Sequence, residues 1–137
     1  MPCRVLLDQV AEAYASADVR ALSDLYDENA LICSAAEPDA VVSRDELFER
    51  SDVLKRTHIV GAIDLIPIDA NAGLLRATAR TAADGRYRPA AEYVWLLTFR
   101  NSLVYRQRVH ATRADAIAFY ARHGVELGMH QPDAQLV

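Results

Sequence analysis

The predicted order of helices and strands constrains the fold of this chain more than any single motif. Helical patterning fills about the first 56 residues and is interrupted by one short strand-like run. From His58 to Thr112 the pattern is strand after strand, with small turns between. This order predicts an α+β domain in which three N-terminal helices pack on one face of a strongly curved, mainly antiparallel sheet that encloses a pocket.

Apolar spacing and capping residues predict the helices. Asp18 is suited to cap a second helix, and Ser43 with Glu46 forms the capping-box pattern at the start of a third. Gly124 is expected to end a last helix. The predicted helices are 4–16, 19–27, 44 to about 56, and 113–123.

Apolar, β-branched runs bounded by turn residues predict the strands. Asp84-Gly85 is a strong hairpin signal, Glu37-Pro38-Asp39 is expected to turn, and Pro89 indicates an edge position or a bulge. The predicted strands are 30–34, 58–69, 74–82, 86–100 and 103–112.

Alternation along these strands separates an inner from an outer face. Tyr93, Trp95, Leu97 and Phe99 are large and apolar, so the odd positions are expected to meet the helices. Small residues at Ala77 and Ala79 on the same face leave volume for a cavity. The opposite face carries five arginines and is expected to be solvated or used in self-association: Arg76, Arg80, Arg100, Arg106 and Arg108.

Composition and charge exclude several classes of protein. The chain has 137 residues, the size of one domain, and 52% of them are hydrophobic, which argues against disorder. No apolar run approaches the ~20 residues that span a bilayer, and the start of the chain does not resemble a secretory signal. The net charge of −4 and the absence of a basic-aromatic motif do not favour nucleic acid.

Charge is nevertheless uneven along the chain. Residues 1–70 hold 14 acids and 6 bases, whereas residues 71–137 hold 5 acids and 9 bases. Cys3 and Cys33 are too few for a disulfide framework and are expected to be reduced packing residues in a cytoplasmic protein. There is no phosphate loop, metal-ligand spacing or nucleophile elbow, so neither a cofactor nor a metal is expected.

Two segments resemble a known family. YASADVRALSDLYDENA, from Tyr14 to Ala30, is similar to the opening of SnoaL-like and ketosteroid-isomerase-like proteins, of the superfamily named after nuclear transport factor 2. SLVYRQRVH, from Ser102 to His110, resembles its closing strand. The resemblance covers about residues 4–122. It implies one domain over 1–137, a cone-shaped cystatin-like fold and a homodimer through the outer sheet face.

The resemblance also implies where catalytic groups would stand. Ketosteroid isomerases use a carboxylate base, a protonated Asp and a Tyr, and the matching positions here are about Ser34, Trp95 and Tyr14. Limonene-epoxide-hydrolase-like members and SnoaL-type cyclases carry an acid on the last strand, where this chain has about Val109. The usual acidic catalytic positions are therefore not acidic here.

A histidine base is the remaining catalytic alternative. Scytalone dehydratase and hexachlorocyclohexane dehydrochlorinase, of the same superfamily, use a His at the start of the strand after helix three, and His58 stands near that position. Asp18 stands near the family's acidic partner, which would fix the tautomer of the imidazole. Asp18 is explained equally well as a helix cap, and strand parity turns His58 outward.

Two functions stay open at this point. The first is a pocket that binds a small apolar or aromatic molecule, with or without a lyase, isomerase or cyclase activity that uses His58 and Asp18. The second is a non-catalytic binding or dimerisation module of the same fold. An open cavity favours the first function and a filled cone the second. The predicted ligand-binding residues are Tyr14, Tyr26, Trp95, Leu97, Tyr105 and Gln107.

Overall fold

A computed structural model describes residues 3–48, 57–83 and 86–129 of the chain. The predicted part of the third helix over 49–56, the Asp84-Gly85 turn and the last eight residues lie outside the described residues. The helices are α1 (Cys3–Ala15), α2 (Val19–Leu25), α3 (Arg44–Phe48) and α4 (Arg113–His123), which a 3-10 turn (Gly124–Glu126) follows. The strands are β1 (Tyr26–Ser34), β2 (Glu37–Ser43), β3 (Thr57–Ile59), β4 (Asp64–Asp69), β5 (Ala72–Ala83), β6 (Arg86–Tyr87), β7 (Ala91–Arg100) and β8 (Leu103–His110).

One curved sheet connects all the strands. Its order is β2-β1-β8-β7-β5-β3, and β4 and β6 also pair with β5. Only the β1–β8 pair is parallel among the described strands, and the other pairs are antiparallel. The predicted α+β class with a strongly curved, mainly antiparallel sheet is confirmed. None of the described helices is long and apolar enough to cross a membrane.

Capping residues begin the helices where the sequence predicts. The Asp18 carboxylate accepts a hydrogen bond of 3.0 Å from the backbone N–H of Ala21 in the first turn of α2. The Ser43 hydroxyl accepts one of 3.2 Å from the N–H of Glu46 at the start of α3. Each bond satisfies a helix N–H that has no carbonyl partner within the helix.

Strand pairing overrides the local pattern near β1 and β2. Ser34 pairs with Glu37, so the chain turns at residues 35–36 and the turn predicted over Glu37–Asp39 is wrong. Tyr26, predicted on the second helix, begins β1 instead. Hydrogen bonds to β2 on one side and β8 on the other satisfy the backbone of β1.

Two of the predicted strands are interrupted. The strand predicted over 58–69 is divided into β3 and β4 by residues 60–63, where Gly61 has a φ of +105° that few other residues adopt. Residues 88–90, which include Pro89, likewise separate β6 from β7. Proline has no N–H to donate to a neighbouring strand, so the break at that position follows from its chemistry.

The inner face of the sheet packs against α1, α2 and α3. Leu75, Leu97 and Phe99 are buried there together with Leu7 and Val10 of α1. All the inner residues of β5 and β7 in this group are odd-numbered, as the alternation predicts.

Helix α4 and the segment after it cover part of the outer face of the sheet. The expectation that helices lie on one face only is therefore wrong. Val94, Leu96 and Leu74 are fully buried against Ala116 of α4 and Leu127. Phe119, Tyr120 and Met129 belong to the same cluster. Leu74, Val94 and Leu96 occupy even-numbered positions of β5 and β7, so a second layer packs on this part of the outer face.

Arg106 departs most clearly from the predicted solvated arginine face. Its side chain is 4% exposed. The guanidinium donates hydrogen bonds to the backbone oxygens of Met129, Asn29 and Tyr105 at 3.0–3.3 Å, and to the Glu126 carboxylate at 3.3 Å. A buried cation needs such partners. Arg106 therefore ties β1 and the segment after α4 to the sheet.

Gly73 sets the closest approach of α1 to the sheet. A Cβ atom at this position would lie 2.5 Å from Leu7 Cδ1 and 3.1 Å from Cys3 Sγ, and Leu7 has no exposed surface. We expect Gly73→Ala to lower the free energy of unfolding by about 1–3 kcal/mol, because the added methyl group overpacks this contact. Urea denaturation measures the change.

Two further variants give this prediction its controls. Thr78→Ala on the exposed side of the same strand should change stability by less than about 0.5 kcal/mol. Combining Gly73→Ala with Leu7→Ala should cost less than the sum of the two single changes, since the clash is removed. Additive losses would contradict the proposed contact.

His110 makes folding sensitive to acid. It lies under α4, 4% exposed, and its Nε2 atom has no hydrogen-bond partner among the described residues. The Phe119 ring of α4 lies 5.6 Å from the His110 ring, measured between centroids. The His123 ring, also on α4, lies 4.2 Å from Phe119. Burial lowers the pKa of His110 below the ordinary 6.5, the Arg108 charge lowers it further and Asp115 partly opposes both.

Because the folded state resists protonation of His110, we expect stability to fall as pH drops below about 6.5, where the unfolded chain takes up the proton. His110→Phe should flatten this part of the stability curve, and denaturation midpoints between about pH 7 and 5 measure it. His123→Phe, at an exposed position of α4, is the matched control and should leave the slope in place. An unchanged slope in His110→Phe would contradict the assignment.

Candidate functional site

An apolar cavity of about 190 Å³ lies between the inner face of the sheet and the helices. Its described lining contains hydroxyls and one amide but neither a carboxylate nor an imidazole. The lining residues are Tyr14, Ala17, Ile32, Leu47, Phe48, Thr57, Ile59, Thr81, Tyr93, Trp95, Gln107 and Val109. The side chains of the described residues therefore do not fill the cone.

Three polar side chains meet at the inner end of the cavity. The hydroxyl oxygens of Tyr14 and Tyr26 are 2.8 Å apart, and the Tyr26 O–H donates to Gln107 Oε1. The Gln107 amide Nε2 donates to the Tyr14 oxygen at 3.4 Å. This network joins α1, β1 and β8, and Tyr26, which is 1% exposed, lies beneath the two groups that reach the cavity.

Burial keeps both phenols neutral. Desolvation raises the pKa of Tyr14 above its ordinary 10, although hydrogen bonds from Tyr26 and Gln107 oppose the shift. The pKa of Tyr26 is raised well above 10 by desolvation and then by the neighbouring Tyr14. Because the Tyr26 O–H donates to Gln107 Oε1, the Tyr14 O–H is the group that can rotate to donate a hydrogen bond to a ligand. A neutral phenol in an apolar site donates a hydrogen bond to an acceptor oxygen and does not act as a base at neutral pH.

Aromatic rings form one wall of the cavity. The Tyr14 ring stacks on Trp95 with 6.2 Å between centroids and 27° between planes. Tyr93 lies 6.0 Å from Trp95, and the buried Tyr26 meets Phe48 edge to face at 4.9 Å. Such rings offer flat faces against which another ring can stack.

The structure brings together half of the residues predicted to bind a ligand. Tyr14, Trp95 and Gln107 line the cavity. Tyr26 supports them from below, and Leu97 is fully buried in the core packed against α1 rather than lining the cavity.

Tyr105 lies on the other side of the sheet, and the prediction that it lines the pocket is wrong. Thr98 pairs with Arg106 and Phe99 with Val104, so Tyr105 is an extra residue in β8. Such a bulge reverses the alternation. Val104 therefore faces the inner core, whereas the Tyr105 hydroxyl donates to Glu126 at 3.1 Å and its ring lies beneath the Arg106 guanidinium.

His58 and Asp18 do not line the cavity. His58 is exposed, and it alternates with Thr57 and Ile59, whose side chains do line the cavity. Asp18 is exposed and caps α2. No hydrogen bond or ion pair links the two within the described ranges. The pair stays a prediction from the sequence, and the geometry of the cavity does not support it.

The other implied catalytic positions also lack acid–base groups. Trp95 and Val109 line the cavity, and Ser34 ends β1 with its hydroxyl bonded to the backbone N–H of Ala36 at 3.2 Å. Over the described parts of the chain, no group of three or more His, Cys, Asp or Glu side chains could hold a metal ion.

Sequence reasoning missed several lining residues. Tyr93 shares the parity of Trp95, so the alternation of β7 already contained the signal for it. Thr57, Ile59 and Thr81 were missed because the pairing of β3 with β5 sets their register, and no local pattern in the sequence specifies that register.

Comparisons with known proteins agree on the fold. Neither a family model nor a curated protein sequence matches the chain. Among solved structures, a SnoaL-like protein from Mesorhizobium loti is 18% identical, with a TM-score of 0.64, over 80% of this chain and 99% of that one. An LEH-like epoxide hydrolase from M. tuberculosis is 12% identical, with a TM-score of 0.62, over 90% and 92%.

A third solved structure, a nuclear transport factor 2-like protein of unknown function from Burkholderia pseudomallei, is 16% identical, with a TM-score of 0.62, over 83% and 93% of the two chains. At these identities the likeness establishes the fold alone. Nearly the whole of each solved chain is matched, so the cone described above is the shared architecture.

Proposed function

We propose that this chain, which has the fold of the SnoaL-like and nuclear transport factor 2-like proteins, binds a small ring-containing molecule in the cone. The Tyr14 hydroxyl and the Gln107 amide hydrogen-bond an acceptor oxygen of that molecule. The observation that carries the proposal is an open apolar cavity whose inner end holds these convergent polar groups.

The size of the cavity limits the ligand. A comparable engineered cavity of about 150 Å³ binds benzene. At about 190 Å³ the cone has room for one or two rings, and the stacked Tyr14 and Trp95 favour a flat one. A ketone, ether or phenol oxygen on that ring would be the acceptor for the neutral Tyr14 O–H.

Binding is a better supported proposal than catalysis. Lyase and isomerase reactions need a general acid or base within hydrogen-bonding reach of the substrate. The described lining offers the Tyr14 phenol, whose pKa is raised by burial, and it contains no carboxylate or imidazole. A base role for His58 remains a hypothesis from the family resemblance, and its exposed side chain would have to turn into the cavity.

Trp95 provides the measurement. It is the only tryptophan of the chain and lines the cavity, so its emission reports a ligand directly. We expect 2-acetylnaphthalene and 2-ethylnaphthalene to change that emission in saturable titrations. Tyr14→Phe should weaken the ketone about three- to tenfold and leave the hydrocarbon unchanged, because one hydrogen bond to the ketone is lost.

Two variants serve as controls for this titration. Val109→Phe should abolish both changes by filling the cavity without adding a second tryptophan, and His58→Ala should alter neither affinity because His58 faces solvent. An equal effect of Tyr14→Phe on both ligands contradicts the hydrogen-bonding role. A loss of ketone affinity in His58→Ala would favour the catalytic hypothesis instead.

Self-association through the outer sheet face is a second proposal. The part of that face left open by α4 carries His58, Thr78, Arg80 and Glu92, all exposed. The first 70 residues are acidic and the remainder basic, so two copies could pair opposite charges. We expect a dimer in sedimentation velocity that weakens at high salt and in Arg80→Glu. A monomer at every concentration contradicts this proposal.

A further inference from the structure

Arg86 and Arg88 lie next to Thr81, the lining residue by which we define the outer end of the cavity. The backbone N–H of Arg88 donates a hydrogen bond of 2.8 Å to the carbonyl of Thr81, whose side chain lines the cavity. Ala82 pairs with Tyr87 and Ala83 with Arg86, so residue 88 is directly opposite Thr81. Opposite residues of an antiparallel pair share a face, so Arg88 lies on the cavity side.

Arg86 follows on the same face. It is two residues from Arg88 along the strand, which puts the two side chains about 7 Å apart at their base. Both are exposed, and neither forms an ion pair or side-chain hydrogen bond with any residue in the described ranges. Arg76 offers a contrast, since Asp64 and Glu92 neutralise it on the outer face of the same sheet.

Unpaired like charges at this spacing repel one another, and a shared anion relieves the repulsion. Guanidinium groups bind carboxylate and phosphate oxygens with paired hydrogen bonds. The cavity itself offers an anion no charged partner, because none of its described lining residues is charged. Binding of an anionic group is therefore favourable beside Arg86 and Arg88, at the outer end of the cavity, and unfavourable deeper in the cone.

We propose that the ligand of the cavity is amphipathic, with a ring buried against Trp95 and an anionic substituent on a short arm that Arg86 and Arg88 bind outside the cavity. The inference rests on the proposed function, because the anion is part of the molecule that the cone holds. The ligand must reach from Trp95 to Thr81. Trp95 pairs with Leu75 of β5, and Thr81 is six residues further along that strand, so the two positions are at most about 20 Å apart. A flexible arm together with the long arginine side chains spans it.

The test compares two molecules of nearly the same size and shape, one anionic and one neutral: 4-(6-acetylnaphthalen-2-yl)butanoate and its primary amide, titrated against Trp95 emission at low salt. We expect the carboxylate to bind about fivefold more tightly than the amide, as two exposed charge pairs allow. Arg86→Gln with Arg88→Gln should remove this preference and leave the affinity for the amide unchanged. Added salt should reduce the preference in the unaltered protein.

Arg100→Gln is the matched control. Arg100 is exposed at the opposite end of β7, so its loss should preserve the preference for the carboxylate. Equal binding of carboxylate and amide to the unaltered protein overturns the anionic substituent and leaves the binding cavity standing. If neither molecule binds, nor 2-acetylnaphthalene, the proposed function itself fails and the inference fails with it.

Discussion

The central strand β7 is apolar on both faces over residues 94–97, and the rest of the structure follows from the need to cover both. Trp95 and Leu97 face the helices, whereas Val94 and Leu96 face α4 and the segment after it. If the outer face were exposed to solvent, Val94 and Leu96 would lie in water. Each side chain would then lose about 1.5–3 kcal/mol of the stabilisation that its burial provides. The C-terminal helix is therefore part of the fold's core.

Covering the outer face depends on polar bonds as much as on apolar contact. Thr98, with no exposed surface, donates to the carbonyl of Val125 at 2.7 Å, and Arg106 binds the carbonyl of Met129 and the carboxylate of Glu126. Removing either side chain would leave buried carbonyls without donors. These bonds hold the 3-10 turn and the segment to Met129 against the sheet. One of the donors is Arg106, which the strand alternation predicted to be on a solvated face.

The inner face has the opposite character, because its helices leave part of the cone open. Gly73 lets α1 approach β5 closely, because a Cβ atom at this position would meet Leu7 and Cys3. The buried network of Tyr14, Tyr26 and Gln107 joins α1 to β1 and β8, and its hydrogen bonds hold the Tyr14 oxygen beside the cavity. An apolar space with a hydrogen-bond donor at its inner end, and beside its outer end two guanidinium groups that no described residue neutralises, is suited to a molecule whose own polarity changes along its length.

The sequence by itself determined the features that depend on near neighbours. Alternation in β7 separates inner from outer residues, and short side chains such as Asp18 and Ser43 cap helices through bonds to the next turn. Alternation also identified Trp95 and Gln107, whereas Tyr14 came from the family resemblance. Only the tertiary structure decided the position of Tyr105, because a single bulge opposite Thr98 and Phe99 reverses the face of one residue in β8. It likewise decided the burial of Arg106 beneath the last segment, and it placed Arg88 beside Thr81. Each depends on the register between segments distant in sequence, and that register is set by the packing of the whole sheet.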